Sequence, residues 1–93
     1  MTHNYIMIEV KGLVQGVGFR YTAYHQARNL GLTGYVRNRP NGEVEILVGG
    51  DKTKQQALIS WIRQGGPRAA HIDDFTVQPF MLAEKMDSFD IRY

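Results

Sequence analysis

Hydrophobic and polar residues alternate from Tyr5 to Lys11, with Ile6, Ile8 and Val10 on one side and Met7, Glu9 and Lys11 on the other. A period of two marks a half-buried strand. From Phe19 to about Asn29 the period lengthens, and Phe19, Ala23, Ala27 and Leu30 share one face of a helix. Gly31 follows where a helix end favours glycine. Leu32 to Asn38 returns to strand, and Arg39-Pro40-Asn41-Gly42 has the composition of a hairpin turn. Glu43 to Val48 alternates again, with Val44, Ile46 and Val48 inward against Glu43 and Glu45.

Asp51 or Thr53 can cap a second helix running to about Gln64, whose apolar stripe is Ala57, Leu58, Trp61 and Ile62. Gly65-Gly66-Pro67 stops it. Ile72 to Gln78 reads as a strand with Phe75 and Val77 two apart, and Phe89-Asp90-Ile91-Arg92-Tyr93 as a closing strand. The order β-α-β-β-α-β with a short terminal strand predicts an α+β, ferredoxin-like sandwich: an antiparallel sheet with two helices on one face.

A chain of 93 residues predicts a single domain over 1–93. At that size roughly 60–65% of the unfolded surface is buried, enough for one core without staples. No linker, low-complexity tract or long-period repeat interrupts it. The absence of cysteine excludes disulfides and thiolate zinc sites. No apolar run approaches the ~18 residues that span a bilayer. Met1-Thr2-His3-Asn4 lacks the charged start and apolar run of a signal peptide, which predicts a cytoplasmic location. A net charge of +2 suits a small anionic ligand and is too weak to argue for nucleic acid. A small core with one edge strand predicts a monomer.

The chemistry concentrates in GLVQGVGFR, from Gly12 to Arg20, between the first strand and the first helix. Glycines let the backbone take positive φ or approach a ligand closely. Such a turn can aim several N–H groups at one point near the positive end of the helix dipole. Arg20 adds a planar fork of donors suited to phosphate or carboxylate oxygens. The P-loop pattern fails, because Gly12 and Gly16 enclose three residues and no Lys-Ser/Thr follows. The dinucleotide pattern fails at Tyr21, where the third glycine belongs. On spacing alone the segment is either an anion cradle or a tight β–α turn with Arg20 in solvent. Asn38 ends the second strand; its amide can hold and orient a water, or start the hairpin by bonding its own backbone.

Together these segments resemble the acylphosphatase family. The first family signature is matched by Val10, Gly12, Val14, Gln15, Gly16, Val17, Phe19 and Arg20, the second by Gly34, Tyr35, Val36, Arg37, Asn38, Gly42, Val44 and Gly50. Gly66-Pro67 and Phe89-x-Ile91 extend the resemblance over essentially the whole chain, with no departure at a motif position. The resemblance implies hydrolysis of an acyl phosphate to a carboxylate and inorganic phosphate. It implies that backbone N–H groups of Gln15, Gly16, Val17, Gly18, Phe19 and Arg20 wrap the phosphoryl group. Arg20 would bind its oxygens, Asn38 would position the attacking water, and no metal or organic cofactor would be needed.

Other chemistry is poorly supported. His3, His25 and His71 lack ligand-like spacing, His25 reads as a surface residue, and Asp73-Asp74 point to opposite faces of a strand. Arg37 and Arg39 flank Asn38 and either steer anions or are ordinary exposed arginines. Two rival readings are a phosphate-binding module without turnover and an RNA-binding ferredoxin-like domain. The same fold and loop begin larger hydrogenase-maturation proteins, but this sequence stops at Tyr93, just after the closing strand. The aromatic RNA-binding signature is absent.

Overall fold

The computed structural model describes residues 3–93; Met1 and Thr2, part of the segment inspected for a signal, lie outside them. The elements are β1 (His3–Leu13), α1 (Phe19–Asn29), β2 (Thr33–Asn38), β3 (Val44–Gly49), α2 (Lys52–Arg63), β4 (His71–Leu82) and β5 (Phe89–Arg92). They form one sheet in the order β4-β1-β3-β2-β5, the expected ferredoxin-like α+β arrangement. One pairing departs from a purely antiparallel sheet. β5 runs parallel to β2, with Gly34 beside Phe89 and Val36 beside Ile91.

Topology explains that exception. β4 ends beside His3, at the start of β1, and β5 begins beside the start of β2, at the same end of the sheet. A short connection over residues 83–88 therefore delivers β5 in the direction of β2. The Met86 N–H donates to the Tyr5 hydroxyl at 2.9 Å and ties the connection down. β4 also outruns its expected span, because it pairs with β1 from Leu13 back to His3. Its far half is an edge with little burial, so Val77 is 40% exposed and hydrophobic alternation fades there.

Pairing register sorts the sheet into two faces. Ile8, Ile46 and Val36 stand side by side, as do Val10 and Val44, and all five are buried. Phe19, Ala23 and Ala27 of α1 and Leu58, Ile59 and Ile62 of α2 join them in one core, so both helices cover this face. α1 stops as its glycine suggests: Gly31 N–H donates to Arg28 C=O and Leu32 N–H to Ala27 C=O, a Schellman closure. In α2, Asp51 is the cap, its Oδ1 accepting from Thr53 N–H at 2.7 Å. The expected stripe is shifted: Ala57 is exposed and Gln55 is buried. Gln55 is tolerated inside because its Nε2 donates to Val48 C=O at 3.1 Å, satisfying the buried amide.

The opposite face carries an ion cluster instead of apolar cover. Glu45, expected to face solvent, is only 7% exposed. Arg37 donates to it from Nε (3.0 Å) and Nη2 (3.2 Å), and the Tyr35 hydroxyl donates as well. Arg39 bonds Glu9 at 2.7 Å, its Nε 3.7 Å from Glu45. Burial pushes the Glu45 carboxyl up, but the bonds from Arg37 and Tyr35 and the charges of Arg37 and Arg39 outweigh it and hold it below its ordinary 4.5. Burial, then the bond to Glu45, raises the Tyr35 phenol above its ordinary value.

A group whose folded pKa is depressed contributes stability above its unfolded value and loses it as pH falls through the folded one. Glu45→Gln should therefore lower stability at pH 7 by about 2 kcal/mol, the scale of hydrogen bonds to a charged acceptor. Its stability should also decline less than that of wild type as pH drops below 4.5. Urea unfolding of both proteins across pH 3–7 checks this; parallel acid limbs would count against Glu45 as an acid-labile anchor.

Candidate active site

β1 and β2 both run antiparallel to β3, and β5 runs parallel to β2, so the carboxyl ends of β1, β2 and β5 share one rim. Three chain segments meet there: the loop leaving β1, Asn38 ending β2, and Ile91–Tyr93 ending β5. They enclose an open cleft of about 180 Å³. Gly12 is not part of it, since it lies within β1 at a register irregularity against β4. The loop proper starts at Val14.

Hydrophobic ends pin that loop. Val14 and Phe19 are buried, and the Phe19 ring packs on Trp61 with centroids 5.8 Å apart. Between them, Gly16 (φ 75°) and Gly18 (φ 76°) are left-handed, whereas Val17 is not. A Cβ at either glycine would meet nothing within 4 Å, so backbone conformation rather than space calls for glycine. An L-residue in that conformation costs roughly 1–2 kcal/mol. Alternation in the sign of φ is the backbone pattern of anion-binding nests, in which successive N–H groups can converge on one concavity.

The helix start strengthens the effect. Gly18 is the N-cap of α1, with no side-chain cap and no acidic residue in the first turn. The first backbone bond into the helix runs from Thr22 N–H to Gly18 C=O at 3.1 Å. Among the described residues, the N–H groups from Gln15 to Tyr21 find no backbone acceptor. A row of free donors thus sits at the positive end of a helix dipole, where an anion is stabilised.

Arg20 projects from the first turn of α1 into the cleft. Its Nη1 donates to Arg92 C=O at 3.0 Å, and its guanidinium carbon lies 4.8 Å from the centre of the Tyr93 ring. One donor anchors the side chain to β5, and the rest of the fork remains for a ligand. The anchor is itself braced, because the Arg92 guanidinium stacks on Tyr35 at 4.0 Å and Tyr35 bonds Glu45. Arg37 and Arg39 do not enter the cleft; both are committed to carboxylates on the other face.

Asn38, at the end of β2, lines the same cleft. Its Oδ1 is buried and has no hydrogen-bond partner among the described residues. The turn-starting role falls to Asn41, whose Oδ1 accepts from Glu43 N–H at 3.0 Å. An orphaned buried acceptor is destabilising unless something else satisfies it.

Of the six loop residues singled out in the sequence, Gly16, Gly18, Phe19 and Arg20 line the cleft. The Gln15 side chain turns to the β2–β3 hairpin, and Val17 packs against the core. Sequence reasoning missed Val14, Tyr21, Ile91 and Tyr93 as lining residues; with Asn38 they complete the cleft wall. Tyr21 follows Arg20 in the first helical turn, and Ile91 and Tyr93 are two apart at the end of a strand, so their positions carried a usable signal. His25 is exposed, its ring 4.4 Å from that of Tyr21. Among the described residues, no lining side chain is a carboxylic acid or an imidazole. Among the described residues, no group of three or more metal-ligating side chains forms and no helix is long and apolar enough to cross a membrane.

The acylphosphatase family model matches residues 6–91. An acylphosphatase from Yersinia pseudotuberculosis serotype O:1b (strain IP 31758) is 44% identical over 93 residues, covering 100% of both chains. The crystal structure of acylphosphatase from Bacillus subtilis superposes with a TM-score of 0.88 at 36% identity, over 97% of this chain and 99% of that one. An acylphosphatase from Coxiella burnetii gives 0.87 at 31% identity, over 97% and 94% respectively. Signatures, fold and full-length identity agree: the chain belongs to the acylphosphatase family, and it is an enzyme of that family.

Proposed function

We propose that the cleft hydrolyses the carboxyl–phosphate bond of acyl phosphates by direct in-line attack of water. The observation that carries this reading is the pairing of a free donor row and Arg20 with the buried, unpartnered Oδ1 of Asn38 in one cleft. The loop N–H groups from Gln15 to Arg20 and the Arg20 fork bind the three non-bridging phosphoryl oxygens. Phosphoryl transfer asks mostly for such positioning and charge stabilisation. Asn38 accepts a hydrogen bond from the attacking water and aims a lone pair at phosphorus.

Water oxygen bonds to phosphorus as the bond to the acyl oxygen breaks, and its electron pair leaves with the carboxylate. The dianion and water give a carboxylate and dihydrogen phosphate, so atoms and charge balance. The leaving group has a conjugate acid with a pKa of roughly 4 and needs no protonation to depart. A cleft whose described lining has no carboxylic or imidazole side chain suits that substrate and does not suit a phosphate monoester, whose alkoxide is a far poorer leaving group. The physiological substrate is thus a small-molecule acyl phosphate, and turnover requires no metal or organic cofactor.

Benzoyl phosphate and a phosphate monoester, each assayed with EDTA present, test the reading. Fast hydrolysis of the first and little of the second is expected. Folded protein that binds phosphate and turns over neither would replace this reading with the non-catalytic phosphate-binding module.

A further inference from the structure

Gln15 does something its place in the phosphate loop does not require. Its side chain leaves the cleft and its Nε2 donates twice, to Arg39 C=O and to Glu43 C=O, each at 2.8 Å. Those carbonyls close the neck of the β2–β3 hairpin. Arg39 N–H donates to Glu43 C=O at 2.8 Å and Gly42 N–H to Arg39 C=O at 3.1 Å, so Gln15 takes the second lone pair of each. Both amide protons of one side chain are thereby spent on one turn.

The turn follows Asn38 directly. Arg39, the next residue, is held twice: its backbone carbonyl by Gln15, and its side chain by Glu9 of β1 at 2.7 Å. Gln15 comes just after buried Val14 and just before left-handed Gly16, at the root of the donor row. It is therefore a direct side-chain strut between the loop with the free N–H groups and the strand end that carries Asn38.

We propose that Gln15 is a positioning residue that sets the distance between the loop-bound phosphoryl group and the water held by Asn38. The inference rests on the functional reading above. Phosphate affinity comes from the loop N–H groups and Arg20, whose conformation is set by Val14, the two glycines, Phe19 and Arg92. In-line attack depends in addition on where Asn38 stands relative to that loop. Loss of the strut leaves phosphate binding intact and slows the chemical step, because small misplacement of reacting groups is expensive in rate.

Gln15→Met keeps the volume and removes both donors; Gln15→Glu keeps the shape and sets a carboxylate against two carbonyls. Thermal unfolding first establishes that each variant folds, so either suffices if the other does not. Benzoyl phosphate kinetics and competitive inhibition by inorganic phosphate are then compared with wild type. The expected result is a fall in kcat of about 10-fold or more with the phosphate inhibition constant unchanged. Wild-type kcat in a folded variant overturns the inference. So does a parallel loss of kcat and phosphate affinity, which would mean that Gln15 shapes the cradle itself. Wild-type protein that binds phosphate and hydrolyses nothing overturns the functional reading instead, and this inference with it.

Discussion

An Arg20→Ala variant is expected to fold normally and lose turnover by about 10²-fold or more, the scale on which removing one oxyanion donor acts. Inorganic phosphate should inhibit it far more weakly than wild type. The expectation has two sources. Among the described residues Arg20 is the one cationic side chain lining the cleft, and on the proposed mechanism its remaining N–H groups would meet the charge developing on phosphoryl oxygens. It is also pre-positioned, because the bond to Arg92 C=O at 3.0 Å and the Tyr93 ring at 4.8 Å hold it before any ligand arrives. Little reorganisation is then left for the transition state.

Arg20→Lys should not restore activity. An ammonium carries the charge but lacks the fork, so it cannot both bond Arg92 C=O and grip two phosphoryl oxygens. The fold should tolerate either change, since the bond given up is exposed and worth roughly 1 kcal/mol. Steady-state kinetics with phosphate as competitive inhibitor separate the possibilities. Wild-type rates in Arg20→Ala would remove Arg20 from the mechanism. A loss of rate with phosphate binding untouched would limit it to the transition state.

Much of this architecture can be read in the residues because local and global preferences agree. Ile6-Ile8-Val10 and Val44-Ile46-Val48 alternate and pair with one another in the sheet, and Gly31 and Asp51 stand at real helix termini. What escaped notice is decided by tertiary neighbours. Glu45 alternates as a solvent-facing residue should, yet Tyr35, Arg37 and Arg39 cover it. The parallel pairing of β5 depends on where the 83–88 connection crosses, which no periodicity encodes. In the candidate site, glycine spacing and a donor fork singled out the loop and Arg20, which the structure brings to one cleft, but spacing alone left cradle and plain turn equally open. The outward turn of Gln15 toward two carbonyls more than twenty residues away was not, because its partners are backbone atoms with no sequence signature.

Asn38→Ala is expected to separate the two halves of the mechanism. Phosphate should inhibit the variant as it does wild type, while hydrolysis of benzoyl phosphate should fall by about 10²-fold or more, the penalty of losing one preorganised polar group at the reacting centre. The loop N–H groups and Arg20 lie on other chain segments and do not rely on the Asn38 amide. Stability should hold or rise slightly, because truncation removes a buried Oδ1 that has no partner among the described residues. That pairing of outcomes is diagnostic. A residue kept for structure would lower stability when truncated, and one kept for binding would weaken phosphate inhibition. Asn38→Asp sharpens the comparison: a carboxylate also accepts from water, but its charge faces an anionic substrate, so phosphate affinity should drop along with rate. If Asn38→Ala loses phosphate affinity and keeps kcat, the water is oriented elsewhere and Asn38 belongs to the cradle.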